Sequence, residues 1–537
     1  ASRQARATNY RQEGPQLMAD VTIELELSSG VWTDVSDDVL ARVPIKWSRG
    51  IMDSGPLDLV ARPGAMSFAL NNNASNSAAT AGYYSPGHAS VRSGFGHGTR
   101  ARLKIDAGGG VTARFVFNGR LRSISPSPGT TGPGASFCLA EDWLAEFADF
   151  DDMQLSLVED QRSDQLIQDL IDLMETAPAT VDLDTGLDTY PFAFDDLGST
   201  QPQLLEIAQA VMQSERGYLY IRGDNSTGET LTMENRHARS KAASALTLTE
   251  SDFAYTGGMV VPSSLDRVFN DVETAVYPRR VDNAATTVLA SLETEIEVGV
   301  GDTITLFLDY RDPNNLASKV GGKDMVAPAA NTDWTANASS GGGGTDVTSD
   351  FDLSSTVYYG SRAKVIATNN GTVTGYLRGP GSDDGMQLRG KGLYTYQPIN
   401  SRATSASSIA SYGRRNLPSP LEMPYQNSQA IGAGVAEFVA HLYSDVANVP
   451  TKCRPLTEIP ATLQACIVRD IGDKITVSET QTAVATTEVF INGVEGEITD
   501  GKTVKMTWTL APASTASVLI LDDAVAGKLD SNALGYA

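Results

Sequence analysis

The stretch VTIELELSSGVWTDVS, residues 21–36, decides how the sequence around it is interpreted. Apolar side chains occupy every second position from Val21 to Leu27, and polar side chains fill the positions between them. This period of two is typical of a β-strand with one buried face, and Ser29-Gly30 supplies a turn at its end. The segment therefore predicts a strand at the start of a β domain.

Further segments of the same kind follow, separated by clusters of Gly, Asn and Pro: VPIKW, SFALN, TRARLKID, ARFVFNGRLRSIS and ASFCLAED. Short strands in such a row predict a first β-barrel over residues 19–142, with a sandwich as the other arrangement. Residues 71–98 are poor in core-forming side chains, so we predict a long surface loop there. Residues 1–18 are basic and lack an apolar stretch, which predicts a flexible N-terminal arm.

The period changes after residue 143. Apolar residues recur at helical spacing in 163–178, from the candidate cap Ser163 to Pro178, and again in 200–217. A strand, a turn and a strand follow in 218–236. Amphipathic helices next to a hairpin predict a small α+β domain over residues 143–264.

Strand patterns return in the rest of the chain. We predict a second β-barrel from residues 265–321 and 397–510, including a helix near 428–446, and a C-terminal tail over 511–537. Residues 322–396 alternate polar and apolar positions between Gly, Asn and Asp turns, which predicts an inserted β-sandwich-like module. The fold class is mainly β, with two barrel-like domains, the α+β domain and the inserted module.

The net charge of −24 is unevenly distributed. Residues 1–140 carry 14 Lys and Arg against 10 Asp and Glu, whereas 141–200 carry 17 acids and Arg162 as their single base. An acidic chain repels phosphate backbones, so we expect no specific nucleic-acid recognition. The acidic section is either a solvated face or a surface that docks against a basic neighbour. No apolar run approaches the ~18–20 residues of a membrane span, so we expect no integral membrane segment.

The sequence contains no recognisable catalytic or metal-binding motif. The three cysteines are scattered, no two of the four histidines have a triad-like or metal-binding spacing, and no P-loop, GxSxG or HExxH pattern occurs. We therefore predict no catalytic residues, no metal and no cofactor. DFDD at 149–152 and DLDTGLD at 182–188 leave calcium loops open as an alternative to solvated turns, although neither supplies a distal Glu.

Aromatic residues in the predicted module offer one candidate binding site. Trp334, Tyr358, Tyr359 and Tyr376 are possible glycan contacts, because aromatic faces bind sugar rings by burial and CH contacts. The core of a small sandwich needs the same residue types. Because Tyr358 and Tyr359 are adjacent in a strand-like run, one of them must point away from the core unless both faces are covered.

The order of several phrases resembles the hub or tail-tip proteins of tailed phages, a family of minor tail proteins. The resemblance covers most of residues 19–537 and rests on the colinear phrases FNGRLRSIS, AEDWLAEFAD, LLEIAQAVMQSERGYLYIRGDNSTGETLTMENRHAR, GDTITLFLDYRDP, YLRGPGSDDGMQLRGKGLY, SSIASYGRRNL, IGDKITV and LDDAVAGKLDSNALGYA.

That resemblance implies a structural virion protein. In the family, two similar β-barrels per chain in three copies form a pseudo-sixfold ring, which adapts the hexameric tail tube to a threefold tip around the DNA exit channel. It implies a homotrimer in the baseplate hub at the distal end of the tail, assembled in the host cytoplasm. Its partners would be the distal tail protein, the tail tube, the tape measure and the tip or fibre proteins, with roles in host attachment and DNA ejection.

Two other functions compete with the structural one. A host-recognition protein would bind carbohydrate through residues 322–396, and a cell-wall hydrolase would use a carboxylate pair, which leaves no local signature in a sequence. We favour the structural role and predict that the chain is not an enzyme.

Overall fold

The computed structural model describes residues 19–513, apart from 54, 128–133, 152–153, 196–201, 224–227, 242, 255–256, 381–384, 446–448 and 483, and the backbone of 518–519 and 533–534. The predicted arm 1–18 and most of the predicted tail 511–537 lie outside the described residues.

The first part of the chain forms strands followed by a short helix, as its alternating pattern predicts. Their bounds are β1 (Asp20–Ser28), β2 (Val31–Asp34), β3 (Ile45–Gly50), β4 (Arg62–Asn71), β5 (Arg100–Asp106), β6 (Arg114–Pro126), β7 (Ala135–Glu141) and α1 (Trp143–Asp149). We call β1–β7 the first half. The loop 71–98 is less superficial than predicted, because Tyr84 is fully buried and its hydroxyl donates to Asp38 Oδ2 at 2.6 Å.

Helices and short strands alternate in the next part, which we call the α+β region, residues 158–241. Their bounds are β8 (Val158–Arg162), α2 (Ser163–Asp172), β9 (Thr180–Leu183), β10 (Thr189–Ala193), α3 (Leu204–Glu215), β11 (Tyr218–Gly223), β12 (Glu229–Glu234) and α4 (Ala238–Lys241). Both predicted helices are present but shorter: α2 begins at Ser163 as predicted and ends at Asp172, and α3 lies within the predicted 200–217. α3 stops at Arg216, which adopts the left-handed conformation with a φ of 61° just before Gly217.

The inserted module, residues 279–395, follows three connecting strands, β13 (Thr247–Leu248), β14 (Met259–Val260) and β15 (Asp271–Val276). Its strands are β16 (Arg279–Val281), β17 (Thr287–Ser291), β18 (Ile296–Val298), β19 (Thr303–Asp309), β20 (Arg311–Asp312), β21 (Asn315–Lys319), β22 (Gly321–Val326), β23 (Thr335–Ser339), β24 (Gly343–Asp346), β25 (Phe351–Asp352), β26 (Val357–Tyr358), β27 (Arg362–Asn369), β28 (Gly375–Arg378) and β29 (Gln387–Thr395). These strands enclose a hydrophobic core of their own.

The last part contains β30 (Ile399–Thr404), α5 (Ala406–Tyr412), β31 (Leu421–Met423), α6 (Gln429–Leu442), β32 (Lys452–Cys453), α7 (Pro460–Ile467), β33 (Lys474–Glu479), β34 (Val484–Thr499), β35 (Thr503–Pro512), β36 (Val518–Leu519) and β37 (Ala533–Leu534). α6 covers a small sheet of β30, β15 and β31. Gly432 is required in α6 because a Cβ there would lie 2.9 Å from Val276 Cγ1.

One sheet of 13 described strands dominates the molecule. Its main path runs β14-β32-β35-β34-β3-β4-β7-β6-β5-β1-β2, with β33 beside β34 and β13 beside β33. We call β13, β14 and β32–β35 the second half. The two halves meet where β3 pairs with β34, from Ile45 opposite Ile498 to Gly50 opposite Gly493. A single core joins both halves to the α+β region.

This pairing confirms a mainly β fold but differs from the predicted division of the chain. Among the described strands, neither half closes into a barrel. β3 lies between β4 of the first half and β34 of the second half, so the two halves form one continuous open sheet. Strands at 296–309, which the sequence pattern places in the second barrel, pair instead with β27 and β28 of the module. The module therefore groups residues 279–395 rather than 322–396. Alternation identifies a strand but does not say which distant strand it pairs with.

Candidate assembly surface

The main path of the large sheet ends in two edge strands, each with a strand neighbour on one side only within the described residues; the side branch ends at the two-residue strand β13. β2 pairs with β1, and β14 pairs with β32. Val31 on β2 is 55% exposed and Val260 on β14 is 46% exposed. Unpaired backbone groups beside exposed β-branched side chains are able to accept a strand from another chain. The two edges are therefore the candidate assembly surface.

Cation–π contacts and ion pairs fix the side chains on the sheet face beside β2. The guanidinium carbon of Arg102 lies 3.9 Å from the ring centroid of Trp32, and Arg102 Nε donates to Glu24 Oε2 at 2.5 Å. Arg100 approaches the same ring at 5.4 Å and Glu26 at 3.6 Å. Cation–π contacts combined with paired carboxylates fix these side chains and balance their charge. The edge is thus presented on a rigid support.

A buried ion pair ties the two halves to the α+β region. Arg49 Nη1 lies 2.6 Å from Asp470 Oδ1, and the side chains are 5% and 4% exposed. Arg49 also donates to the carbonyls of Val116 on β6 and Ile221 on β11. The other carboxylate oxygen of Asp470 accepts from Gly223 N at 2.8 Å. These contacts hold three distant parts of the chain in one fixed arrangement.

Arg239, at the end of the α+β region, makes a second link to the second half. Its Nε donates to Glu234 Oε2 and its Nη1 to Asn492 Oδ1, both at 2.7 Å. Its guanidinium carbon lies 3.6 Å from the ring centroid of Tyr218 and 5.1 Å from that of Phe490. Because the guanidinium is planar, it stacks on rings and donates in its plane at the same time.

The module is attached through Arg279 on β16. Its guanidinium donates to both carboxylate oxygens of Asp195, at 2.9 and 3.1 Å, and to the carbonyls of Tyr277 and Pro424. The Arg279 and Asp195 side chains are 7% and 1% exposed. A bidentate, desolvated pair of this kind fixes orientation as well as distance. The module is therefore held in a defined pose against the α+β region.

The four aromatic residues predicted as glycan contacts face different surroundings. Trp334 is buried in the core of the module, with its Nε1 donating to Pro328 O at 3.1 Å, and Tyr358 packs against the same core. Tyr359 turns the other way and donates to Gln154 Oε1 at 2.9 Å, as their adjacency predicts. Tyr376 lies on β28 opposite Glu297, whose charge raises the pKa of the phenol. Glycan contact stays a prediction, carried by the partly exposed rings of Tyr359 and Tyr376.

Three carboxylates of the two acidic segments are engaged within the protein. Asp149 forms an ion pair with Arg122, Asp188 Oδ2 accepts from Arg236 Nη1 at 2.7 Å, and Asp184 Oδ2 accepts from Asn235 N at 3.2 Å. Asp152 lies outside the described residues. In the described part of the chain, no group of three or more His, Cys, Asp or Glu side chains is arranged to hold a metal ion.

The cysteines offer no activated nucleophile. Cys138, Cys453 and Cys466 are buried and unbridged. Burial raises the pKa of the Cys138 and Cys466 thiols to about 12, so both are protonated at neutral pH. In the described residues, no helix is both long enough and apolar enough to cross a membrane.

The residues that hold this arrangement were not singled out from the sequence. Arg49 and Asp470 are 421 positions apart, and neither lies in a motif. The sequence contains one weak indication of Asp470, which directly precedes IGDKITV, one of the phrases that carry the resemblance. A single sequence contains no information on which acid a given arginine will meet.

Comparison with known proteins gives matches at the level of structure. No family model and no curated protein matches the chain. Among solved structures, it is similar to the 43 kDa tail protein of prophage MuSo2 from Shewanella oneidensis, with 10% identity, coverage of 92% of this chain and 98% of that one, and a TM-score of 0.46. A tail protein from Neisseria meningitidis is similar at 7% identity, 92% and 96% coverage and a TM-score of 0.39.

A type VI secretion component of E. coli, described as structurally similar to the T4 bacteriophage tail proteins gp27 and gp5, matches at 9% identity, 92% and 77% coverage and a TM-score of 0.38. At such identities and TM-scores the likeness carries no argument about what this chain does. The Shewanella and Neisseria structures are described as tail proteins.

Proposed function

We propose that this chain is a structural hub protein at the distal end of a phage tail, and that three copies close a ring around the DNA exit channel. The observation that supports the proposal is the open 13-stranded sheet, whose two halves are joined side by side and whose main path ends in β2 and β14, each paired with one strand only among the described residues. Such a sheet is built to continue into a neighbour rather than to close on itself.

Two different edges on one subunit allow the copies to join head to tail, which is the contact that a ring requires. Contact between β2 of one copy and β14 of the next is heterologous, and a heterologous contact forms a ring when the rotation between successive copies closes and an open filament when it does not. Three copies would present six sheet halves, which suits a junction between a hexameric tube and a threefold tip. The buried links at Arg49, Arg239 and Arg279 support this role, because a ring-forming subunit must hold its own parts rigidly.

The remaining features of the proposal follow from that position. The distal tail protein, the tail tube, the tape measure and the tip or fibre proteins would be its partners, and the virion its location. Acidic side chains of residues 141–200 would face the channel or solvent, where their charge keeps DNA from adhering to the wall. The protein would act by shape and perform no catalysis.

The mass of the particle in solution tests the proposal. Native mass spectrometry of the wild-type chain should give three times the subunit mass of 56.9 kDa. Val31→Lys and Val260→Lys place a charge on each edge and should shift the population to single subunits, because a buried unpaired charge opposes strand pairing. Val300→Lys is the matched control, since Val300 is 53% exposed but lies in the module.

Three results would reject the proposal. The first is a wild-type chain that remains a single subunit at tens of micromolar, and the second is trimers that survive both edge substitutions. The third is dissociation by Val300→Lys as readily as by Val31→Lys, which would place the interface on the module instead of the sheet edges.

A further inference from the structure

The module has an edge strand, β19, that is open along one side. Among the described strands it pairs with β27 alone, and it has seven residues, against four in β2 and two in β14. It contains no proline, and no bulge interrupts its ladder from Thr303 opposite Thr368 to Asp309 opposite Arg362. Proteins usually shorten, bend or block such edges, so a long and regular one is a candidate for strand addition.

The hydrogen-bond pattern of the ladder shows which backbone groups of β19 are available. Tyr310 N donates to Ser361 O at 2.9 Å, directly after the last pair of the ladder. In an antiparallel pair, hydrogen-bonded positions alternate with positions whose N–H and C=O point away from the partner strand. Even-numbered residues of β19 therefore bond to β27, whereas the backbone groups of Thr303, Thr305 and Phe307 point to the open side.

The side chains of β19 are suited to a neighbouring strand on both faces. Ile304, Leu306 and Leu308 are only partly buried against the module core, so apolar side chains of an added strand would extend that core. On the opposite face, Phe307 is 46% exposed and Val357 on β26 is 42% exposed. An added strand therefore gains backbone hydrogen bonds and apolar contact together.

An unpaired lysine lies in the middle of this outer face. Lys364 on β27 is directly opposite Phe307 on one side and Val357 on the other. It is partly exposed, and within the described part of the chain its ammonium group forms no ion pair. A cation between two apolar side chains favours a ligand that brings a carboxylate together with apolar groups.

Cations also outnumber acids around the Phe307 end of the strand. The Asp309 carboxylate is shared by three cations: Arg362 at 2.8 Å, Lys319 at 3.0 Å and Arg311 at 3.6 Å. Residues 303–319 and 357–369 together contain four basic side chains and two acidic ones, in a chain whose net charge is −24. The local excess of positive charge attracts an acidic partner and repels a basic one.

We propose that β19 binds an extended acidic segment of a partner protein, which adds to the module as a further strand. The backbone of the segment pairs with Thr303, Thr305 and Phe307, and its acidic side chains lie beside Lys364. This surface belongs to the module, whereas the proposed ring contacts use β2 and β14 of the large sheet. The two surfaces are therefore tested by different experiments.

A synthetic strand tests the proposal on the full-length protein. The probe is a peptide of about ten residues that alternates Val and Thr and ends in Glu side chains, and the comparison peptide has Lys in place of Glu. The acidic peptide should bind about tenfold more tightly than the basic one, measured by isothermal titration calorimetry. On binding, hydrogen exchange should slow at the amides of Thr303, Thr305 and Phe307 and stay unchanged at Leu306, which already bonds to β27.

Two variants remove different parts of the site. Thr305→Pro removes an N–H that faces the open side, so it blocks strand addition without loss of a bond to β27. Lys364→Glu reverses the charge and should weaken binding of the acidic peptide by about tenfold. Lys502→Glu is the matched control, because Lys502 is exposed between β34 and β35, outside the module, and it should leave binding unchanged. The thermal midpoint of each variant shows whether it is folded.

Four results would overturn the proposal. The first two are an acidic peptide that does not bind and equal binding of the acidic and basic peptides. The third is binding of the acidic peptide that persists in both Thr305→Pro and Lys364→Glu. The fourth is a particle mass that falls in Thr305→Pro without any peptide, because β19 would then pair with a second copy of the chain instead of a partner protein.

Discussion

Arg49 and Asp470 form a buried ion pair, with 2.6 Å between Nη1 and Oδ1, at the point where the first half, the second half and the α+β region meet. A buried pair contributes little net free energy, because the desolvation of two charges offsets their attraction. Its value here is geometric, since Arg49 also holds carbonyls on β6 and β11. The pair specifies one arrangement of parts that are far apart in the sequence.

Removal of one partner should therefore be much more damaging than removal of both. Arg49→Met leaves Asp470 buried without a counter-ion and should lower the free energy of unfolding by about 3–5 kcal/mol. The double variant Arg49→Met/Asp470→Asn should recover part of this loss, because no buried charge is left unpaired. Urea unfolding followed by tryptophan fluorescence measures both changes.

The matched control uses an exposed pair on the same two strands. Lys46 and Glu497 lie directly opposite each other on β3 and β34, with 3.6 Å between their charged atoms and side chains 63% and 35% exposed. Lys46→Met should lower stability by less than about 1 kcal/mol. Equal losses from Lys46→Met and Arg49→Met would contradict this account of the seam.

The seam between β3 and β34 also depends on one glycine. Gly496 lies opposite Trp47, and a Cβ on Gly496 would overlap the indole ring. Gly496→Ala should lower the free energy of unfolding by about 1–3 kcal/mol through overpacking, although alanine usually favours a strand over glycine. Differential scanning calorimetry on the full chain measures the shift in midpoint.

Gly96→Ala is the control for that substitution, because nothing lies within 4 Å of its added Cβ. It should change stability by less than about 1 kcal/mol, in the favourable direction, by restricting the unfolded chain. A Gly496→Ala protein as stable as Gly96→Ala would show that Trp47 moves aside without loss.

Local features of the fold could be predicted because they depend on neighbours in sequence. The alternation around Val21 and the helical spacing from Ser163 both describe one element at a time, and the structure places a strand and a helix there. The amphipathic pattern fixes which face of each element is buried. It carries no information about which other element covers that face.

Long-range features could not be predicted for that reason. The pairing of β3 with β34 joins residues about 450 positions apart, and it replaces two separate barrels with one open sheet. The Gly, Asn and Asp turns after residue 322 predict a module boundary there, whereas β18 and β19 already pair with module strands. Trp334 and Tyr358 fit either a core or a binding face by type, and only burial separates the two.

The attachment of the module should be sensitive to the shape of the cation at Arg279. Arg279→Lys keeps the charge near Asp195 but loses the bidentate contact and the donation to Tyr277 and Pro424, so stability should fall by about 2 kcal/mol. Faster hydrogen exchange at residues 277–281 should report the loss. Arg280→Lys is the control, because the Arg280 side chain is 57% exposed, and it should leave exchange unchanged. Similar exchange in the two variants would contradict a fixed pose of the module.

The acidic surface after α1 should be dispensable for assembly if it faces the channel or solvent. Arg122 and Asp149 form a pair with side chains 53% and 52% exposed, and Asp151 is exposed as well. Asp149→Asn/Asp151→Asn should lower stability by less than about 1 kcal/mol, because exposed pairs are screened by water. Native mass spectrometry should give the same particle mass as the wild type. Loss of the assembled particle would mean that these carboxylates contact a neighbouring subunit, and the channel-facing role would then be rejected.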